Sequence, residues 1–347
     1  MKMKKKNKSK HKNKHIRAKL IANPGAGNEV DAPSLLEQAV RCLTKHGIKV
    51  DVVYASPKKE ALILAKKAVK KGYKIVIAMG GDGTIGEVIR GIAGSDVKLG
   101  VIVGGTMNDI AASLGIPEDV EAACALIAKG DTRELDLGQI KTHKHKKFYF
   151  FMVTVIGLTA ALYPDVKKIP KGKLKEKFAS MKDAIVTLVE HEAKPEVLLT
   201  FDDESKIKVD TMVVTIANTP LIGSKNLVAP DASMEDGLFD ISVFPDYNKA
   251  EVLSYFQRTA EENLIPDGKL QRFRAHKVKV ESTPKLEIAA DGISLGKGSC
   301  TIKMHRRALR VFAPPIGLGD EKSQADGEEE LSAPLSPFIK QNKESST

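Results

Sequence analysis

Three short segments of the 347-residue chain combine glycine with small polar residues in a way that suits phosphate chemistry. They are Asn23-Pro24-Gly25-Ala26-Gly27-Asn28, Gly80-Gly81-Asp82-Gly83-Thr84 and Gly104-Gly105-Thr106-Met107-Asn108-Asp109. Glycine permits φ > 0 and removes the Cβ that would hold a phosphate away from main-chain N–H groups. A helix starting behind such a turn adds N–H donors and the positive end of its dipole. Asp82 is a carboxylate among donors that attract anions, which suits it to holding Mg²⁺ or a substrate hydroxyl. Thr84 can bond a phosphate, or it can cap the helix that follows. Singly, each segment also reads as ordinary turn chemistry: Asn-Pro-x-x-Gly is a frequent turn, and Thr106 and Asn108 suit any helix start. At three successive strand ends, they predict one shared crevice.

The elements that must position these segments follow from apolar periodicity. Lys19–Pro24 reads as a short strand. Pro33–His46 carries Leu35, Leu36, Ala39, Val40 and Leu43 at helical spacing and stops at Gly47. Lys49–Ala55 is β-branched, and Ser56-Pro57 with Glu60 opens a helix that runs to Lys71. Lys74–Met79 and Lys98–Val103 read as strands around a helix near Ile85–Ile92. Strand alternating with helix predicts a parallel sheet covered on both faces.

After about Leu135 strands predominate, at Lys146–Ile156, Glu196–Phe201, Lys206–Ala217, Leu238–Phe244, Lys277–Glu281, Lys285–Ala290 and Thr301–Phe312. Helices are expected only near Lys173–His191 and Asn248–Thr259. This half is expected to be a β-rich, mainly antiparallel domain. The longest nearly apolar run, Phe148–Tyr163, is shorter than the ~20 residues a spanning helix needs, and reads as a buried strand ending in a turn at Gly157. Any membrane contact is therefore expected to be peripheral.

Charge is unevenly spread. The net +11 is concentrated in Met1–Lys19, which holds nine Lys and one Arg with no acid, whereas Ile316–Thr347 is net −4. The leader has no apolar stretch and reads as a solvated arm rather than a secretory signal. Anionic lipid would attract it by about 1 kcal/mol per charge at the surface; nucleic-acid binding rests on this leader alone and ranks last. Lys167, Lys168, Lys171, Lys173, Lys175 and Lys177, interleaved with Ile169, Leu174 and Phe178, could also face an anionic surface. Cys42, Cys124 and Cys300 are far apart in the chain, with no Cys-x-x-Cys, and suggest neither a disulfide framework nor a zinc site.

GGDGT at Gly80–Thr84 followed by GGTMNDIA at Gly104–Ala111 resembles the diacylglycerol kinase catalytic family, which includes bacterial lipid kinases, sphingosine kinases and ceramide kinases. NPGAG at Asn23–Gly27 is similar to that family's Asn-Pro-x-x-Gly, and Asn218 with VAPDASMEDGLFDISVF at Val228–Phe244 to its Pro-x-Ala … Asp-Gly-x-x-Asp segment. GGDGT alone is shared with NAD kinases and phosphofructokinases; the later segment narrows the likeness to lipid kinases. It spans about Lys19–Pro314.

The resemblance implies an NAD kinase/phosphofructokinase-like α/β domain at 19–135, completed by about 301–314, and a β-rich sandwich domain for the lipid substrate at 136–300. Residues 1–18 and 315–347 would be tails. It implies ATP as co-substrate on Asn23, Gly25, Gly27, Gly80, Gly81, Gly83, Thr84, Gly105, Thr106 and Asn108, with catalysis or metal positioning by Asp82. It further implies Mg²⁺, with a structural cation near Asp231, Asp236 and the Leu238 carbonyl. A membrane lipid, most simply diacylglycerol, would be the acceptor, the enzyme lying in the cytoplasm against an anionic leaflet; a second copy of the chain is a further candidate partner.

Two positions depart from the family pattern. Family members carry Asp-Gly-Glu near the C-terminus, with the Glu as general base, whereas here the segment is Asp291-Gly292-Ile293. Val103 stands where a proline is common. General-base catalysis is worth roughly 10²–10⁴ in rate, while positioning and electrostatics dominate phosphoryl transfer. Either Asp82 or Asp291 is a candidate substitute, and Asp291 also suits a plain turn. A catalytically silent nucleotide- or lipid-binding scaffold and a soluble-substrate kinase of the NAD kinase kind are the rival readings.

Overall fold

The computed structural model describes residues 16–23, 32–55, 60–105, 107–160, 194–202, 204–222, 226–260 and 268–315. The lysine cluster at 167–177, the helix expected at 173–191, residues 1–15 and 316–347 of the charged tails, Gly25, Gly27 and Thr106 lie outside them; residues 16–18, expected in the leader, belong to the first strand.

The first half alternates as expected. β1 (Ile16–Ala22), β2 (Ile48–Tyr54), β3 (Ile75–Gly80) and β4 (Lys98–Val103) run parallel in the order β2-β1-β3-β4. β3 is buried along its whole length, so it reads as an unbroken apolar run rather than an alternation. α1 (Ala32–Lys45), α2 (Glu60–Lys70) and α3 (Asp82–Ile92) cover the sheet. α3 buries Ile85, Val88, Ile89 and Ile92, one face at helical spacing. α4 (Asp109–Ser113) and α5 (Val120–Lys129) follow β4. Asp119 caps α5 by accepting the Ala122 N–H at 2.8 Å, and Gly130 ends it at φ 89°.

The second half is built from β5 (Thr132–Thr142), β6 (Phe148–Phe150), β7 (Val153–Gly157), β8 (Glu196–Phe201), β9 (Lys206–Ala217), β10 (Leu221–Ile222), β11 (Asn226–Leu227) and β12 (Phe239–Pro245). After α6 (Lys249–Ala260) come β13 (Gln271–Ala275), β14 (Lys277–Thr283), β15 (Glu287–Ala290), β16 (Ile293–Lys297) and β17 (Cys300–Phe312). The pairings of these strands with one another are antiparallel, from β15 against β7 and β16 to β8 against β9 and β14. The fold is thus an α/β domain with parallel strands joined to a β-rich domain. Phe150 and Phe239 stack at 5.8 Å in the β-rich core, where full burial of each ring contributes about 1.5–3 kcal/mol. Gly138 makes room for this: a Cβ there would lie 2.1 Å from the Phe150 ring.

β17 ties the halves together. Its start pairs with β14 (Val278↔Ile302), its length with β5, and its end runs parallel to β4 (Arg310↔Lys98). The ladder breaks between His305 and Leu309, where Arg307 takes φ 51°. One apolar cluster runs from Ile89 and Ile110 in the first half to Val153, Ala217, Ala229 and Met234 in the second. Two expectations need correction. The division at Leu135 cuts through β5, a single strand that pairs with β17 on both sides of that residue. The strand expected at Lys146–Ile156 is two strands, interrupted at Phe151-Met152.

Candidate active site

The second and third glycine segments leave β3 and β4 side by side. They touch backbone to backbone: a Cβ on Gly105 would stand 2.4 Å from the Gly81 Cα, and one on Gly81 would stand 3.1 Å from the Gly105 Cα. The Gly104 N–H donates to the Gly80 carbonyl at 3.0 Å. Glycine at Gly81 and Gly105 is therefore required by loop packing. Gly83 differs, because a Cβ there would meet nothing within 4 Å. Its bare backbone, in the first turn of α3, faces open space at a helix start that has no side-chain cap.

α3 begins at Asp82 itself, earlier than its apolar periodicity suggested, so Thr84 lies inside the helix rather than at its cap. Thr84 is buried, and its Oγ1 accepts from Asn23 Nδ2 at 2.9 Å, joining the first segment to the second. Asp82 joins the second to the third. Its Oδ1 accepts the Ile110 N–H at 2.9 Å, and the amides of Asp109 and Asn108 also face it. Burial raises the Asp82 pKa, these amides oppose the rise, and the charge of Asp109 adds to it. Asn108 holds the turn at φ 57°, donating from Nδ2 to the Gly105 carbonyl at 3.1 Å while its Oδ1 is buried without a partner.

Asp109 is the residue that sequence reasoning passed over. It is 3 % exposed and close enough to Asp82 for the charges to interact. The signal was its place one residue after Asn108, in a loop already singled out.

Asp291, one of the two candidates to stand in for the missing base, is held by main-chain amides. Its Oδ2 accepts the Phe151 N–H at 2.7 Å, and its Oδ1 accepts those of Met152 and Val153 at 2.9 and 3.1 Å. Both oxygens are thus committed to the chain break between β6 and β7, and the residue sits at φ 44°. Burial raises its pKa against these three amides and the nearby Arg90 charge. Arg90, on α3, lies with its guanidinium 5.1 Å from the Phe148 ring centre and carries the field of Asp291 and Glu87. Ile293 is half-buried and packs against the β-rich core.

Residues 17–140 match the family model described as diacylglycerol kinase catalytic domain, and residues 165–313 match the YegS C-terminal NAD kinase beta sandwich-like domain. A diacylglycerol kinase of Bacillus subtilis (strain 168) is 30% identical over 279 residues, 80% of this chain and 89% of the relative. The chain belongs to the diacylglycerol kinase catalytic family. A diacylglycerol kinase of Mycobacterium tuberculosis (strain ATCC 25618 / H37Rv) is 27% identical over 301 residues, covering 86% of this chain and 95% of the relative. The fold agrees with a crystal structure of a diacylglycerol kinase from Bacillus anthracis str. Sterne, at TM-score 0.68 and 21% identity over 87% of this chain and 98% of that one.

For a member of this kinase family, the acidic segment after Val228 has an unexpected arrangement. Asp236 Oδ1 accepts the Leu238 N–H at 2.9 Å and Oδ2 pairs with Arg274, which also lies 3.6 Å from Asp240. Asp231 is exposed. Arg274 thus pairs with two acids of the segment expected to hold a structural cation, and among the described residues no three His, Cys, Asp or Glu side chains are grouped to hold a metal. Next to this cluster, Asp136 is 1 % exposed; its Oδ1 accepts the Arg307 N–H at 2.6 Å, which pins the β17 bulge. Asn218 donates to the carbonyls of Asp136 and Phe151 at 3.1 and 2.8 Å. No helix among the described residues is long and apolar enough to cross a membrane.

Asp240 gives a pH prediction. Burial, against the Arg274 charge, pushes its pKa from 3.8 up to about 6. The folded value lies above the unfolded one, so its contribution is fully present below about pH 4 and is lost as pH rises through 6. Urea midpoints should show roughly 2–3 kcal/mol of stability lost over that window through this group. The Asp240→Asn variant should lack that loss; an identical pH profile for the two proteins would remove Asp240 as its source.

Proposed function

We propose that this kinase-family protein transfers the γ-phosphoryl group of ATP to a lipid hydroxyl, that of diacylglycerol in the first instance. The observation that carries the reading is the convergence of Asn23, Thr84, Asp82, Asn108 and Asp109 at one point, next to the open backbone of Gly83. Phosphate oxygens would approach the α3 amides at Gly83, where no side chain intervenes. Asp82, held by Ile110, would orient the acceptor hydroxyl or a cation. Mg²⁺ fits the site, since it is usually held by one or two carboxylates together with substrate phosphates, and the Asp82–Asp109 pair beside the unpartnered Asn108 Oδ1 supplies that donor set. When bound it would neutralise phosphate charge. The names of the relatives support a lipid acceptor. Cytoplasmic placement against a membrane surface follows from the need for ATP and lipid together.

A second reading is a slow or silent scaffold, favoured by two observations. Ile293 packs on the core where a base is expected, and Asp291 has both oxygens engaged. The rival predicts nucleotide binding without turnover.

Three measurements separate these readings. Labelled ATP and Mg²⁺ over mixed-micelle lipids should place label on diacylglycerol, and Asp82→Asn should lower kcat by at least about 10²-fold with the fold intact; unchanged turnover in that variant would remove Asp82 from the mechanism. Gly83→Ala should melt at or above the wild-type temperature, because Ala stabilises a helix by up to about 1 kcal/mol relative to Gly, yet raise KM for ATP about tenfold. Gly105→Ala should instead unfold at lower denaturant, and equal effects of the two changes would refute the distinction between phosphate space and loop packing. Ile293→Glu should raise kcat by about tenfold or more if a base is the missing element; no change would show that turnover is not limited by its absence.

A further inference from the structure

Cys42 on α1 and Cys124 on α5 are 82 positions apart in the chain, yet the fold sets them against each other. The Cys42 Sγ lies 4.0 Å from the Glu121 carbonyl oxygen, on the helical turn that bears Cys124. In return, the Cys124 Sγ lies 3.8 Å from the Ala39 carbonyl oxygen, on the turn that bears Cys42. Each thiol thus points across the helix interface at the other's backbone, and the two are close enough to interact directly. Both are free thiols.

Their exposures differ. Cys42 is partly exposed and lines an open groove of about 510 Å³ between the two helices, with Arg41, Lys45, His46 and Glu121 around it. Cys124 is wholly buried behind it. Burial, reinforced by the neighbouring Cys42, pushes the Cys124 thiol up to about 12, which keeps it protonated and inert towards solvent reagents. Cys300 is equally buried and likewise pushed up to about 12, but burial alone accounts for it. It serves as an internal control.

We propose that Cys42 and Cys124 are a reversible redox pair, in which Cys42 meets a hydroperoxide in the groove and Cys124 resolves the product as an α1–α5 disulfide. The Cys42 sulfur attacks the peroxide oxygen, the O–O bond breaks, and sulfenic acid forms while water or an alcohol leaves. The Cys124 sulfur then attacks the Cys42 sulfur and the S–OH bond breaks. The departing hydroxide leaves as water with the Cys124 proton. Two thiols are oxidised and one peroxide is reduced; a dithiol reductant reverses the change by exchange. Such pairs in reducing compartments are transient and sensory rather than structural. The bond would join α1 to α5 across their interface.

The test exposes the full chain to hydrogen peroxide, removes the peroxide, unfolds the protein in denaturant, blocks remaining thiols with an alkylating agent, and maps the digest by mass spectrometry. Cys42 and Cys124 should lose alkylation together and appear as one linked peptide pair, lighter by two hydrogens, while Cys300 stays alkylated. Dithiothreitol should restore both thiols. In Cys124→Ser, Cys42 should accumulate sulfenic acid that a dimedone probe captures. The proposal is overturned if both thiols remain alkylated at peroxide levels that oxidise exposed methionine. It is equally overturned if wild-type Cys42 proceeds to sulfinic acid unlinked, or if the link joins two chains on a non-reducing gel.

Discussion

Gly81 and Gly105 meet with no side chain between them, and the site is built around that contact. Parallel neighbours in a sheet lie about 4.8 Å apart, so the loops that leave β3 and β4 must run side by side. Any Cβ at Gly105 would enter the Gly81 backbone. With both glycines in place, the turn at Asn108 brings three amides onto the Asp82 carboxylate. A charge that burial disfavours is thereby held by fixed dipoles rather than by water, and it needs no reorganisation when a substrate arrives. The same approach leaves the helix start of α3 bare at Gly83.

Asp291 applies similar chemistry to a structural end. A carboxylate on a residue at φ 44° is held by the amides of Phe151, Met152 and Val153, which the break between β6 and β7 would otherwise leave without partners. Arg90 then connects this turn to the helix that carries Asp82. The Arg90 guanidinium, seated on Phe148, therefore links the helix behind the second glycine loop to the β-rich domain electrostatically.

Much of this architecture was legible because strands and helices write different periods into a sequence. The parallel strands, α1, α2 and the turns after β3 and β4 followed from apolar runs and from the glycines that end them. β5 was harder, since Arg133, Glu134, Asp136, Gln139 and Lys141 break its apolar pattern; its strand character comes from pairing with β17, 158 or more residues away. The interruption at Phe151-Met152 was invisible for a like reason, being made by a carboxylate 140 positions downstream. Local pattern also could not show that Asp236 would face Arg274, or that Cys42 would face Cys124. Long-range partners decide those positions, and residue type alone does not name the partner.

The place of β17 in the sheet bears on how the chain is made. Its 13 residues end 35 positions before the C-terminus, yet they lie between β14, β5 and β4, in the middle of everything made earlier. During synthesis β4 and β5 emerge with their shared neighbour still untranslated, so their edges stay open while the rest of the chain is added. Neither half can close on its own during synthesis, and the final cooperative step waits for β17. Loss of β17 should be tolerated poorly, because it opens the edges of β4, β5 and β14 at once.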